Sequence, residues 1–272
     1  MVRRPAWFRV LAFVQVAVLA LILFAPIAWM VMASFKSRVD ITRYPPALLF
    51  DPTLENYRQL FIRTDFLENT MNSFIVAGGS TLLGLLLALP AAFAISWHRM
   101  VWPATLTLFA RMAPGGLFLL PWFIMFSGVG LSGTHAALIL THAVITLPIA
   151  LWTMLPYFDG MPRELVESAQ IDGCRAHQAL LRVVLPVVMP GMVVATILCF
   201  IFSWNYFLFA LVLSGISSKT AIVASFNFIG EGVTNWGTLM AAATVIAMPP
   251  ILLTLLIQRR LVSGLSFGAV KG

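Results

Sequence analysis

The chain has 272 residues, of which 60% are hydrophobic and only 10% are charged, and its mean hydropathy is +0.95. Soluble globular domains carry about 25% charged residues, so this composition excludes a soluble protein and indicates an integral membrane protein. The net charge of +7 does not indicate a nucleic-acid partner, because no basic run with interleaved aromatic residues accompanies it. In a membrane protein such charge belongs in cytoplasmic loops.

The first predicted element is a membrane span, rather than a signal peptide that is cleaved off. The basic start, "MVRRPAWFR", resembles the charged region of a signal peptide, but the apolar run from Val10 to Ala33 has 24 residues. That run is too long for the apolar region of a cleaved signal. A polar loop, 36–70, follows the span and holds five of the ten carboxylates.

Five further apolar stretches are long enough to cross a bilayer as helices, which takes about 20 residues each. They are continuous runs rather than the ~10-residue alternating segments of a membrane β-barrel. The predicted fold class is therefore an all-α integral membrane protein with six transmembrane helices, because helices satisfy their own backbone hydrogen bonds in lipid. The predicted spans cover roughly 10–33, 71–96, 103–127, 135–157, 188–213 and 238–257.

The distribution of lysine and arginine predicts that both termini lie in the cytoplasm. With the N-terminus inside, ten of these residues fall in cytoplasmic segments and six outside, with Arg111 left aside as intramembrane. Positive charge is enriched in cytoplasmic loops, which favours this orientation. The predicted organisation is an N-terminal helix with an extracytoplasmic loop (1–70), a membrane domain (71–262) and a cytoplasmic C-terminal tail (263–272).

The third predicted span carries both a charge and a helix break. Arg111 is followed by "MAPGG", in which Pro114, Gly115 and Gly116 should kink or unwind the helix. A charge at membrane depth is costly, so Arg111 should face a water-filled path or a polar partner. Two alternatives stay open, namely snorkelling of Arg111 towards the cytoplasmic surface and an ion pair with another subunit.

The predicted spans contain no carboxylate, because all ten Asp and Glu residues fall in 36–70, in 159–172 and at Glu231. Ion-coupled carriers keep such groups at membrane depth, so transport by this chain should be powered by another protein. An ion-coupled secondary carrier for a small polar solute is the alternative, and a structural membrane scaffold is a third class. No histidine has metal-ligand spacing and no nucleophile–base pair is visible, so we predict neither a metal site nor a catalytic residue.

A compact polar segment, "PRELVESAQIDG" at 162–173, interrupts the apolar chain on the predicted cytoplasmic side. Pro162 suits the first position of a helix. Glu164 and Glu167 suit the N-terminal end, where the helix dipole favours anions. Gly173 suits a left-handed cap at the C-terminal end. The segment is too short and too charged to span a membrane, so we predict a surface helix that serves as a docking site.

The fifth predicted span contains polar and aromatic residues in "SWNYF". Asn205 requires a hydrogen-bond partner in an apolar helix. Trp204 and Tyr206 offer flat faces with polar tips, which suit sugar rings and hydroxyl groups. These three residues and Arg111 form the predicted substrate pathway, and an inter-helix contact is the alternative interpretation for each aromatic or amide side chain.

The polar helix belongs to a longer spacing pattern, whose members are, in order, Glu167, Ser168, Ala169, Gly173, Val183, Val184, Leu185 and Pro186. It resembles the EAA motif of ABC importer permeases, in which Glu-Ala-Ala is followed after three residues by Gly and after nine more by Ile-x-Leu-Pro. The chain departs from that motif at Ser168 and Val183, and both departures are conservative.

Other segments are similar to the carbohydrate branch of that family, the maltose-type second permease. They are "LENYRQLF" in the outer loop, "FSWNYFLFAL" in the fifth span and the C-terminal "QRRLVSGLSFGAVKG". Tyr206 departs from the branch, which often has an acidic residue or Asn at that position. The resemblance runs from about residue 50 to the end of the chain.

The resemblance implies the type I ABC importer permease architecture and the import of a sugar or sugar alcohol. The implied partners are a second homologous permease, two copies of a cytoplasmic ATP-binding subunit and an extracytoplasmic solute-binding protein. ATP and Mg would be bound by the ATPase subunit, so no cofactor is expected in this chain. The implied location is a prokaryotic cytoplasmic membrane.

In such permeases the EAA helix is the coupling helix, which sits in a cleft of the ATPase subunit. The resemblance implies that Glu167 makes the polar contact with the ATPase and that Ala169 allows a close approach. Gly173 would turn the chain sharply, Asp172 and Arg175 would brace the loop, and Glu164 would lie on the same coupling surface.

Overall fold

A computed structural model describes residues 6–112, 114–230 and 234–269, and within these it does not describe the side chains of Ala6, Ala110 and 257–269. Over this part of the chain the structure is helical, and one parallel bridge between Gly133 and Ser214 is its only strand-like pairing. The predicted all-α fold class is confirmed. Glu231 and the last three residues of the C-terminal signature, 270–272, lie outside the described residues.

The α-helices follow one another along the chain with short connections. In order they are α1 (Ala6–Ser34), α2 (Arg38–Thr42), α3 (Glu55–Ile62), α4 (Phe66–Trp97), α5 (Val101–Met112), α6 (Gly116–Gly128), α7 (His135–Asp159), α8 (Glu164–Ile171), α9 (Ala176–Ala179), α10 (Leu185–Val187), α11 (Met189–Trp204), α12 (Leu208–Leu213), α13 (Ala221–Ser225) and α14 (Trp236–Ala269). A π-helical turn covers Leu180–Val184, and two 3₁₀ turns cover Ile216–Ser218 and Phe226–Phe228.

Four helical stretches of the described chain are long and apolar enough to cross a bilayer without interruption. They are Trp7–Ser34, Phe66–Trp97, His135–Asp159 and Trp236–Leu256. Each coincides with one of the predicted spans, namely the first, second, fourth and sixth. The observed helix is longer than the predicted span in most cases, because hydropathy marks only the part that lipid surrounds.

The third and fifth predicted spans are each built from two shorter helices. The third consists of α5 and α6, which are separated at Pro114 and Gly115, so the predicted break of this helix is confirmed. The fifth consists of α11 and α12, with residues 205–207 between them. The helical segment Ala176–Val187 comes before α11, and the chain bends by 85° between the two. This bend separates Ala176–Val187 from the fifth span. The helices are compatible with six crossings, and that number stays a prediction.

One compact unit consists of residues 68–223 and 248–272, and its core is formed where α7 packs against α11 and α4. Glycines allow these close approaches. A Cβ atom at Gly191 would lie 2.5 Å from the Tyr157 ring, and one at Gly84 would overlap the side chain of Thr146. Larger residues at either glycine would push the helices apart, because packed interiors leave no space for added atoms.

The other compact unit consists of residues 1–67 and 224–247. Its outer loop is held in place by the amide of Asn56, which donates to the carbonyl oxygens of Ser34 and Lys36 at 2.8 Å each. The ammonium group of Lys36 is buried, donates to the Ala47 carbonyl at 2.6 Å and lies 4.4 Å from the centre of the Trp29 ring. The loop that was predicted to lie outside the cytoplasm is therefore an ordered part of the fold.

Candidate functional site

The predicted coupling helix is α8, which begins two residues later and ends two residues earlier than the predicted range 162–173. Its C-terminal end is closed by two backbone hydrogen bonds, from Cys174 N to Ala169 O at 2.9 Å and from Gly173 N to Gln170 O at 3.0 Å. These are the two bonds of a Schellman motif, which requires a left-handed residue after the helix. Gly173 has a φ angle of +86°, so the predicted left-handed cap is confirmed.

Helix α8 has one buried face and one exposed face. Val166 and Ala169 are buried, and they belong to the same apolar core as Ala179, Leu180 and Val184. Because successive residues of a helix are 100° apart, the opposite face carries residues at the i, i+3, i+4 and i+7 positions. These are Glu164, Glu167, Ser168 and Ile171, and all four are exposed.

The exposed face combines two carboxylates with an apolar residue near its end. Ile171 is 87% exposed, which is unusual for a large aliphatic side chain in a well-packed protein. Glu164 and Glu167 lie in the first turn of the helix, where the helix dipole favours negative charge. Ile171 was not among the predicted site residues, although its position seven residues after Glu164 places it on the same face.

The structure places Ala169 on the buried face of α8. Its small side chain lets α8 lie close to the segment 179–184 of the same chain. The prediction that Ala169 allows a close approach of the ATPase is therefore wrong, because Ala169 does not lie on the exposed face. The second half of the EAA-like spacing begins in that segment, at Val183. The nine residues between Gly173 and Val183 therefore let the chain turn, so that the segment with the second half of the motif packs against the buried face of α8.

Asp172 and Arg175 are both exposed, and they flank the left-handed Gly173. Among the described residues, no ion pair or side-chain hydrogen bond joins them. The loop is held instead through the backbone of Arg175, whose N–H donates to the side-chain oxygen of Gln178 at 2.9 Å. The two charged side chains are thus available to contacts outside this chain.

Arg163, which was not among the predicted site residues, connects the start of α8 with the end of α4. Its guanidinium donates to the Trp97 carbonyl at 3.2 Å and lies 5.3 Å from the centre of the Trp97 ring. Beside this contact is a cavity of about 260 Å³, lined in part by Arg99 and Asp159. The helix that carries the exposed carboxylates is therefore fixed to a second spanning helix as well as to the core.

The break in the third predicted span faces the end of α11. Arg111, in the last turn of α5, is exposed, and its guanidinium lies 5.6 Å from the centre of the Phe202 ring. Tyr206, just after α11, is half-buried, and a Cβ atom at Gly115 would overlap its hydroxyl group. The structure therefore brings Arg111 and Tyr206, which were predicted from separate spans, to neighbouring elements.

The other two predicted pathway residues differ in their placement. Asn205 is exposed at the end of α11, and its amide donates back to the Ile201 carbonyl at 2.8 Å. Trp204 is buried, with its ring centre 4.7 Å from that of Phe74 and 5.5 Å from that of Phe200. Trp204 thus makes the inter-helix contact that was the alternative for it, whereas Arg111 and Asn205 are exposed and Tyr206 is half-buried.

The chemistry of these groups suits the binding of hydroxyl groups rather than a metal. A guanidinium, an amide and a phenol together offer several hydrogen-bond donors and acceptors. Within the ranges that the structure describes, no three His, Cys, Asp or Glu side chains come together in a way that could hold a metal ion.

Comparison with known proteins agrees with this architecture. The family described as "Binding-protein-dependent transport system inner membrane component" matches residues 80–267. The chain is 34% identical to the probable ABC transporter permease protein y4oR of Sinorhizobium fredii, covering 93% of this chain and 92% of that protein. It is also 34% identical to the trehalose transport system permease protein SugB of Mycobacterium tuberculosis, covering 91% of this chain and 92% of that protein. These relatives are named as permease proteins and not as enzymes.

Solved structures share the fold. A chain in the crystal structure of a bacterial ABC transporter involved in the import of the acidic polysaccharide alginate superposes with a TM-score of 0.78, covering 95% of this chain and 98% of that chain. The sequence identity is 20%. A second match, with a TM-score of 0.68, is to an alginate ABC transporter in complex with an alginate pentasaccharide-bound periplasmic protein.

Proposed function

Because the chain belongs to the family of binding-protein-dependent transport system inner membrane components, we propose that it is the permease subunit of an ATP-driven importer for a sugar or sugar alcohol. The observation that carries the proposal is α8. It is a short, charged and capped helix in a chain that is 60% hydrophobic, and the second half of the EAA-like spacing packs against it. A permease without an energy source of its own needs such a contact with an ATPase.

The substrate class is supported by the relatives and by the chemistry of the pathway residues. SugB is named for trehalose, and SmoH of Agrobacterium fabrum, 33% identical to this chain, is named for sulfoquinovosyl glycerol. In this chain Arg111, Asn205 and Tyr206 present polar groups where the break of the third span meets the end of α11. Polar side chains of this kind bind solutes with many hydroxyl groups.

The proposed assembly contains a second, homologous permease, two copies of a cytoplasmic ATP-binding subunit and an extracytoplasmic solute-binding protein. The ATPase subunit would hold ATP and Mg, and hydrolysis would take place there. The family description names binding-protein dependence, and a matched structure holds a substrate-bound periplasmic protein, which supports this set of partners. The lysine and arginine distribution supports an orientation with both termini in the cytoplasm.

The surface that meets the ATPase would be the exposed face of α8 together with its cap. Glu164 and Glu167 would form charged hydrogen bonds with it, and Ile171 would fill an apolar pocket. Gly173 would set the direction in which the chain leaves the helix, with Asp172 and Arg175 on either side. Ala169 and Val166 would anchor the helix to this chain, so that movement of the ATPase is passed to the spans.

We expect Glu167→Lys to reduce the ATPase subunit that copurifies with the tagged chain by about tenfold or more, because reversing a charge at an interface costs at least about 1.4 kcal/mol. Glu167→Gln removes the charge without reversing it and should have a smaller effect. The measurement is quantification of the ATPase subunit retained on the affinity resin after coexpression.

A matched control is Glu55→Lys, which reverses an exposed carboxylate in the first turn of α3, in the predicted outer loop. This variant should retain the ATPase at the level of the unmodified chain. The proposed function would be contradicted if no ATPase subunit copurified with the unmodified chain, and the role of Glu167 would be contradicted if Glu167→Lys retained it fully.

A further inference from the structure

Three helices meet at a group of polar side chains inside the apolar core. Ser80 of α4, His142 of α7 and Ser203 of α11 are each no more than 2% exposed. The hydroxyl group of Ser203 is the centre of this network, at 2.8 Å from the hydroxyl group of Ser80 and 2.9 Å from Nδ1 of His142. The hydroxyl of Thr146 extends the network by donating to the Ser80 carbonyl at 2.8 Å.

A buried imidazole in a membrane protein needs an explanation, because each unsatisfied polar group in lipid or protein interior costs free energy. Among the described residues, only Nδ1 of the two ring nitrogens of His142 has a hydrogen-bond partner. Its Nε2 atom is buried and has no hydrogen-bond partner among the described residues. Helix association alone would be served by an apolar residue without this cost, so the imidazole should do something further.

The ring of His142 supports a residue of the proposed pathway. Its centre lies 5.6 Å from the centre of the Tyr206 ring, and the two rings are nearly perpendicular at 76°. Phe209 also packs on Tyr206, at 4.5 Å between ring centres, and its ring centre lies 6.3 Å from that of His142. Ser203, which holds His142, is in the last turn of α11, three residues before Tyr206. The network therefore fixes both the end of the helix and the aromatic ring that follows it.

We propose that His142 is a positioning residue for solute transport, which acts by holding the Tyr206 ring against the break in the third span. This inference rests on the proposed function, since it assigns a role within the pathway. Ser203 and Ser80 orient the imidazole, the imidazole and phenol rings pack nearly perpendicular to each other, and the phenol hydroxyl is kept beside Gly115. Because the Tyr206 ring is held in one position, the solute that contacts it is transported in each ATPase cycle.

The test compares His142→Asn, which keeps a hydrogen-bonding group near Nδ1 but removes the rest of the ring, with His142→Phe, which keeps a ring. In the complete complex in proteoliposomes, with the binding protein, we measure solute taken up per ATP hydrolysed. Loss of one edge-to-face contact should lower this ratio about three- to tenfold in His142→Asn and much less in His142→Phe. A role in stability alone would lower uptake and hydrolysis together and leave the ratio unchanged.

Two further variants make the test specific. Leu151→Ala removes a buried side chain of the same helix about 13 Å away, so it should lower the melting temperature without changing the ratio. His142→Asn combined with Tyr206→Leu should be no worse than Tyr206→Leu alone, because both act through one contact. An unchanged ratio in His142→Asn, an equal defect in His142→Phe or a multiplied defect in the double variant would each overturn the proposal. A wild-type complex without ATP-driven uptake would instead contradict the proposed function.

Discussion

Replacing Gly173 with valine is expected to reduce solute uptake about tenfold or more. Gly173 closes α8 with a φ angle of +86°, a conformation that costs roughly 1–2 kcal/mol for residues other than glycine and more for β-branched ones. A Cβ atom at this position would meet nothing within 4 Å. Steric overlap therefore cannot cause the defect, and the expected cause is the opening of the cap and reorientation of the exposed face of α8.

The measurement is uptake and copurified ATPase for Gly173→Val beside two controls. Gly173→Asn should retain activity within about threefold, since asparagine tolerates the left-handed conformation. Gly78→Val makes the same chemical change in α4, where the backbone is helical and the space around the glycine is also open, and it should be harmless. Full uptake and full ATPase retention in Gly173→Val would contradict the role of this cap in coupling.

Replacing Arg111 with alanine is expected to produce the second large defect, a loss of uptake of about tenfold with the complex still assembled. Arg111 is an exposed charge in the last turn of α5, and its guanidinium lies over the Phe202 ring, 5.6 Å from the ring centre. Because a cation–π contact at an exposed site contributes only about 0.5–1 kcal/mol, this contact alone does not explain a charge within the predicted third span. The proposed explanation is that Arg111 lines the path of the solute.

Two further variants, Arg111→Lys and Asn205→Ala, test which polar groups the solute requires. Lysine keeps the charge but not the planar fork of donors, so partial uptake is expected. Asn205→Ala removes an amide that donates to the Ile201 carbonyl at 2.8 Å, and a smaller loss of uptake is expected. If Arg111→Ala and Asn205→Ala each left uptake and binding-protein-stimulated ATPase activity unchanged, the proposed pathway would be wrong, and snorkelling would explain Arg111.

The approximate positions of the membrane helices could be predicted because long apolar runs mark them in the sequence. The predicted span 135–157 agrees with α7 to within two residues at each end. The predicted span 71–96 begins five residues after α4 does, because the first turns of that helix are polar. Those turns are stabilised by tertiary contacts, such as the Asn72 amide donating to the carbonyls of Ser217 and Lys219 at 3.0 and 3.1 Å, which no local pattern reveals.

Some features of the candidate site depend on residues that are neighbours in the sequence, and these could be predicted. Others depend on residues that are far apart in the sequence. The cap at Gly173 depends on six consecutive residues, so the sequence was sufficient to predict it. The partner of Arg163 lies 66 residues away at Trp97, and the partner of His142 lies 61 residues away at Ser203. The side of α8 that Ala169 occupies depends likewise on which segment packs beneath it. Such pairings require the fold, although a histidine within an apolar run was already a signal.

Uptake into proteoliposomes decides whether transport by this chain is driven by a separate ATPase. One preparation contains this chain with its partner permease, the ATPase subunit, ATP and the binding protein, and the other contains this chain alone with a proton or sodium gradient. We expect ATP-dependent sugar uptake in the first preparation and none in the second. Uptake by the chain alone, driven by the ion gradient and insensitive to ATP, would contradict this expectation and establish a secondary carrier.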